Sequence, residues 1–249
     1  MDLDYSSQNV YFYASDSDDI LICEYLRSNR EEAKASVSLN GGRAMIMGGA
    51  HRNYGMFWMN IGGWERIEVY LPDKLFQSVN VSVSSGNLTV QENFALHCRK
   101  LFLKTSSGNI RSDGAIWSEE TQIQVSSGNI TLKEIEGVVS VEASSGNISF
   151  DRMSGSGNIE TKSGNIRVMA EDITGDLSLE ASSGNIKLKL PKGLQFHFAA
   201  NTSSGIIKTD FNNSLTFNQK GNQAEGNVGQ NPTVQIDMRA KSGNVRAVY

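Results

Sequence analysis

Val141-Glu142-Ala143-Ser144-Ser145-Gly146-Asn147-Ile148-Ser149-Phe150 holds one of eight Ser-Gly-Asn copies in this 249-residue chain. The glycines of those copies are Gly86, Gly108, Gly128, Gly146, Gly157, Gly164, Gly184 and Gly243; Ser204-Gly205-Ile206 is a ninth copy without the asparagine. With Gly157 set aside, the steps from Gly86 to Gly205 are 22, 20, 18, 18, 20 and 21 residues. A period of about 20 residues marks a repeat architecture, in which each unit buries its apolar face against its neighbours. Repeats build surfaces, so the functional question turns toward binding or scaffolding.

Aligning the copies on glycine sorts the residues into columns. Five before the glycine stand Val81, Leu103, Ile123, Val141, Ile159, Leu179, Ala200 and Met238. Two after it stand Leu88, Ile110, Ile130, Ile148, Ile166, Ile186, Ile207 and Val245. The columns between are mostly polar, and alternation of this kind predicts strands with one buried face. The corners are Gly86-Asn87, Gly108-Asn109, Gly128-Asn129, Gly146-Asn147, Gly164-Asn165, Gly184-Asn185, Gly205 and Gly243-Asn244. Glycine accepts a positive φ and asparagine tolerates the left-handed region, so both read as turn residues. A second, looser corner follows, as in Ile135-Glu136-Gly137 and Ile173-Thr174-Gly175. Gly157 falls off the period and reads as part of such a second corner, at Gly155, in a shortened coil.

A parallel β-solenoid and an antiparallel meander both fit this unit. Column identity favours the solenoid, because stacking sets isoleucine on isoleucine from coil to coil, about 4.8 Å apart. The expected fold is all-β: a single-stranded, right-handed parallel β-solenoid of about 20-residue coils, residues 79–249, behind an N-terminal β cap, residues 1–78. In the cap region Asn9–Ser15, Ile20–Leu26, Ala35–Leu39, Arg43–Met47 and Arg66–Leu71 read as strands. Residues 211–230, rich in Asn, Gln and Gly, interrupt the period and read as a loop or hairpin excursion.

Net charge is −4, with no long basic run, which argues against a nucleic-acid partner. Cys23 and Cys98 lack metal-like or redox-like spacing and are expected to be free thiols. His51, His97 and His197 sit in unrelated contexts, so neither metal nor cofactor is expected. No apolar run reaches the ~18 residues of a membrane span, and no signal peptide is visible. A glycan-cleaving site would need convergent carboxylates. Asp113, Asp151 and Asp210 share an outward column, but Lys133, Met169 and Lys189 separate them. The chain is therefore expected not to be an enzyme.

Two features read as candidate contact surfaces. Arg111, Arg167, Lys187, Lys208 and Arg246 stand three residues after their glycines and form a basic column, a strip for an anionic polymer or acidic partner. Glu142, Glu160 and Glu180, four before theirs, form an acidic column. The alternative is a solvated surface whose charges prevent aggregation. Tyr54, Met56, Phe57, Trp58 and Met59 lie in an apolar loop that either touches a membrane or partner or folds over the end of the core.

The Ser-Ser-Gly-Asn-Ile units combine with Tyr70-Leu71-Pro72, Leu190-Pro191-Lys192-Gly193, Gly226-Asn227-Val228-Gly229 and Lys241-Ser242-Gly243-Asn244-Val245. Together they resemble the DUF4097 family, a group named for adhesins and related to bacterial β-strand-repeat proteins. The resemblance implies a bacterial protein with a β-helix-like fold, tied to the cell envelope or surface, with no catalytic residues defined. The expected role is a non-enzymatic, adhesin-like structural protein binding a protein or a cell-envelope polymer. The alternatives are an intracellular scaffold that self-associates through its solenoid end or charged faces, and, third, a glycan-cleaving β-helix enzyme.

Overall fold

The computed structural model describes residues 1–49 and 65–249. The apolar loop of Tyr54, Met56, Phe57, Trp58 and Met59, and with it His51, lies outside the described residues. Strand formation follows from the alternation. Val139, Val141 and Ala143 are buried while Ser140 and Glu142 between them are exposed. That pattern commits one face of an extended chain to the core.

The N-terminal strands are β1 (Asp2–Tyr5), β2 (Asn9–Ala14), β3 (Leu21–Tyr25), β4 (Ser36–Asn40), β5 (Arg43–Met47), β6 (Arg66–Leu71), β7 (Phe76–Val83) and β8 (Leu88–Val90). Five long strands follow: β9 (Ala95–Ser107), β10 (Ile110–Ser127), β11 (Ile130–Ser145), β12 (Ile148–Ser163) and β13 (Ile166–Ser183). The chain ends with β14 (Ile186–Lys189), β15 (Phe196–Ser204), β16 (Ile207–Thr209), β17 (Thr216–Phe217), β18 (Gln223–Val228), β19 (Val234–Ser242) and β20 (Val245–Val248).

Pairing is parallel and in register through the repeats. Ile110 lies beside Ile130, Ile130 beside Ile148, Ile148 beside Ile166, and Ile166 beside Ile186. A meander would pair different columns, so this register excludes it and establishes the solenoid. Each long strand carries the chain through the second corner, where Gly137 pairs with Gly155. Gly157 pairs with Val139 and Leu177 in a core column. Threonines in buried columns keep their hydroxyls satisfied on a neighbouring coil. Thr105 donates to the Gly86 carbonyl, Thr161 to that of Gly146, and Thr202 to that of Gly243.

Coil order in space departs from order in the chain at both ends. Sequence order predicts that the Gly205 coil stacks on the Gly184 coil. Instead the last coil is interposed: β19 pairs with β13 and β15, and β20 with β14 and β16. The N-terminus does the same. β1 pairs with β5 and β7, and β2 with β6 and β8. Each chain end is therefore threaded one coil in from an end of the solenoid. The physical gain is that both terminal segments have ladder partners on two sides and present no free edge.

The first 71 residues thus supply two coils, β1–β2 and β5–β6, besides a cover. The cover is β3, antiparallel on β6, and β4, antiparallel on β5. The five strands expected in this region lie within a residue or so of β2 to β6, whereas Asp2–Tyr5 is a further strand. Ser7-Gln8-Asn9-Val10 is a degenerate corner, with Val10 beside Leu88 in the isoleucine column. At the other end the excursion is a hairpin, with β18 antiparallel to β15 and to β17. Phe211 packs there against Phe196 and Phe198 with centroids 5.2 Å from each, and against Tyr249 at 5.6 Å. Edge-to-face aromatic packing of this kind closes the core.

Candidate functional site

The Ser-Gly-Asn corner is built by stacking more than by turning. A Cβ on Gly128 would stand 1.9 Å from the Gly108 carbonyl oxygen, and one on Gly146 1.9 Å from that of Gly128. The contact recurs along the column, so glycine is required because successive backbones nearly touch. The asparagines correct the expectation drawn from sequence. Among the described residues only Asn93 has a positive φ outside glycine, so no corner asparagine is left-handed. Their side chains form a ladder instead. The Asn129 Oδ1 accepts from the Asn147 backbone N–H at 2.9 Å and from its Nδ2 at 3.3 Å. The same pair of bonds joins Asn9, Asn87, Asn109, Asn129, Asn147, Asn165, Asn185 and Asn244 in that order. The ladder ends where the Ile206 backbone N–H donates to the Asn244 Oδ1. Ile206 occupies the asparagine position of the outermost corner, with no further Ser-Gly corner stacked on it among the described residues, so the copy that lost its asparagine is the one that needs none.

A turn role and a ladder role predict different outcomes for Asn147→Gly. A turn would tolerate glycine. The ladder loses the side-chain acceptor for Asn165 and the Nδ2 donor to Asn129 with glycine as much as with alanine, while the backbone N–H bond to Asn129 stays. Both variants are expected to lose about 1–2 kcal/mol in denaturant unfolding.

The threaded C-terminus reshapes the basic column. Arg167 lies beside Lys187, Lys187 beside Arg246, and Arg246 beside Lys208. Insertion of the last coil thus makes four consecutive cationic rungs, spanning about 14 Å at one-coil spacing. Arg111 stands apart, separated by Thr131 and Ser149, and is engaged by Asp113 at 2.7 Å. Arg167 approaches Asp151 at 3.7 Å, whereas Lys187, Arg246 and Lys208 have no ion-pair partner among the described residues. Elsewhere adjacent coils match opposite charges: Arg99 with Glu119 at 2.6 Å, Lys100 with Glu120 at 2.9 Å, and Arg152 with Glu134. Like charges directly opposite destabilise a sheet, so the cationic run departs from the pairing used elsewhere. Glu142, Glu160 and Glu180 also stack consecutively, until Arg239 meets Glu180.

The carboxylates weighed for catalysis do not converge. Asp113 is held by Arg111, Asp151 is near Arg167, and Asp210 accepts from the Tyr249 backbone N–H at 3.3 Å. Burial pushes the Cys98 thiol up to about 12, and both cysteines are free. Among the described residues no group of three or more His, Cys, Asp or Glu could hold a metal ion, and no helix is long and apolar enough to cross a membrane.

The profile of the Toastrack DUF4097 family matches residues 1–247. The chain belongs to that family. Two solved structures resemble this Toastrack chain. One is a "putative adhesin" from Bacteroides fragilis NCTC 9343, 13% identical, with TM-score 0.45, covering 99% of this chain and 91% of its own. The other is a "putative cell adhesion protein" from Clostridium sporogenes ATCC 15579, 9% identical, with TM-score 0.24, covering 99% of this chain and 90% of its own. No curated protein matches. The sequence did hold two signals of the threading: the alternation of Leu3, Tyr5, Val10 and Phe12 around Gln8-Asn9, and the asparagine missing beside Gly205.

Proposed function

We propose that this Toastrack protein is a non-enzymatic, adhesin-like component of the bacterial envelope that binds an anionic polymer along its cationic rungs. The observation that supports this reading is the contiguous run Arg167–Lys187–Arg246–Lys208, three of whose members have no ion-pair partner among the described residues. A stack of like charges is costly to keep and becomes favourable when a polyanion neutralises it. The rigid coil spacing fixes the charges as a line, which suits an extended chain of repeating phosphates or carboxylates better than a compact anion.

Surface plasmon resonance on immobilised lipoteichoic acid tests the reading. Binding should weaken between low and physiological salt, as exposed charges are screened within about 10 Å at 0.1 M. Reversing all four cations to glutamate should lower affinity by roughly 100-fold, taking each exposed contact as about two- to fivefold. Reversal of Arg99 and Lys100, whose charges are matched by Glu119 and Glu120, serves as the control and should change little. Equal loss in both variants, or none in the first, would sink the proposal.

A further inference from the structure

The N-terminal end of the solenoid carries a strand that is unfinished on one side. Among the described residues β4 pairs with β5 alone, and all five of its residues are exposed. Its sequence, Ser36-Val37-Ser38-Leu39-Asn40, contains no charge and no proline. Natural edge strands are normally protected by lysines, prolines, bulges or brevity, because an open edge recruits another strand. Such protection is present at the opposite end, where β17 is two residues long. The other cover strand, β3, is tied to its own chain: Glu24 accepts from the Ala35 backbone N–H at 2.9 Å and from the Tyr5 hydroxyl at 3.1 Å.

The side chains of β4 point to a definite occupant. The buried column Leu3–Ile46 continues to Val37, which is 65% exposed, and its neighbour Leu39 is 79% exposed. The interior of the solenoid therefore emerges at β4 with nothing stacked on it among the described residues. The β4–β5 turn holds Gly41 at φ 55° and Gly42 at φ 77°, the conformation of a tight two-residue hairpin whose twist matches that of its strands. The strand is also self-complementary. About Ser38 it reads polar, apolar, polar, apolar, polar in both directions.

We infer that β4 is a dimerisation edge, at which two copies of this chain pair antiparallel across a twofold axis through Ser38. In that register Val37 of one copy faces Leu39 of the other, so the two solenoid cores join end to end. The interface is isologous and closes after two copies, since β4 is the one such edge among the described residues. This inference is independent of anion binding. The strip is carried on coils at the far end, so the dimer would present two strips pointing away from its centre.

Sedimentation velocity across a concentration series tests it on the full chain. The expected result is a concentration-dependent dimer that Val37→Lys/Leu39→Lys converts to monomer, with an unchanged circular dichroism spectrum because both positions are exposed in the single chain. In a Cys23→Ser background, Ser38→Cys should crosslink to a disulfide dimer under mild oxidation, since the twofold places the two Ser38 residues opposite each other within disulfide reach. Ser36→Cys, which would face Asn40 of the second copy, should not. A monomer at every concentration, a dimer insensitive to the double lysine variant, or equal crosslinking at positions 36 and 38 would overturn the proposal.

Discussion

A chain lacking residues 1–14 is expected to lose its N-terminal coils as a cooperative unit, although terminal residues of most domains can be trimmed without consequence. The threading explains the difference. β1 and β2 form a coil with neighbours on both sides, so their removal breaks pairings to β5, β6, β7 and β8 at once. Leu3, Tyr5, Val10 and Phe12 are all 2% exposed or less. At about 1.5–3 kcal/mol for each buried apolar side chain, their loss removes roughly 6–12 kcal/mol, an upper value against an extended reference chain. That equals much of the roughly 5–15 kcal/mol by which a typical domain is stable. The Met1 nitrogen also donates to the Ser78 carbonyl at 2.8 Å, which fastens Met1 to β7.

The loss should nevertheless be local. Stability in a stacked repeat is close to a sum over coils and their interfaces. Hydrogen exchange of the truncated chain should therefore show unprotected amides in β3 to β6 and retained protection in β10 to β13. Full protection of β6 would mean that the outer coil can close directly on β7 and β8, and the threading would then be dispensable.

The fold was legible in the sequence because a solenoid writes its geometry as columns. Ile110, Ile130, Ile148, Ile166 and Ile186 stack on one another since each lies two residues past its glycine. Coil order at the ends was not legible, for a physical reason. A parallel ladder fixes which residue faces which column, and says nothing of which coil is the neighbour. In chain order Lys208 follows Lys187, whereas in space Arg246 stands between them. The asparagine role was hidden in the same way. A turn residue and a ladder residue recur at the same spacing, and only the amide bonds between coils separate them. The one exception to the motif was the informative one, because Ile206 marks the end of the stack.

Gly128→Ala should be among the most damaging single substitutions available, with a cost above about 4 kcal/mol or no recoverable folded protein. Two independent costs coincide there. The backbone φ is +150°, which a side chain adopts only with strain of about 1–3 kcal/mol. The new methyl group would also lie 1.9 Å from the Gly108 carbonyl oxygen and 2.7 Å from its carbonyl carbon. These are backbone atoms, so no rotamer change relieves the contact. Relief would require separating two coils held by the Gly108 N–H bond to the Ser127 carbonyl at 3.0 Å and by the Ile110 N–H bond to the Asn129 carbonyl at 2.9 Å. Position in the stack then grades the damage. Gly205 meets a similar obstacle, 2.1 Å from the Gly243 carbonyl oxygen, but its φ is not positive and its corner is the last of the stacked glycine corners among the described residues. Its alanine variant should cost distinctly less. Gly193 has a positive φ of 89°, and a methyl group added there would meet no atom within 4 Å among the described residues, so Gly193→Ala isolates the conformational cost alone. Urea unfolding of the three variants should rank them Gly128, Gly205, Gly193. An equal cost at Gly128 and Gly193 would show that φ, and not the contact between coils, is what requires glycine in the repeat.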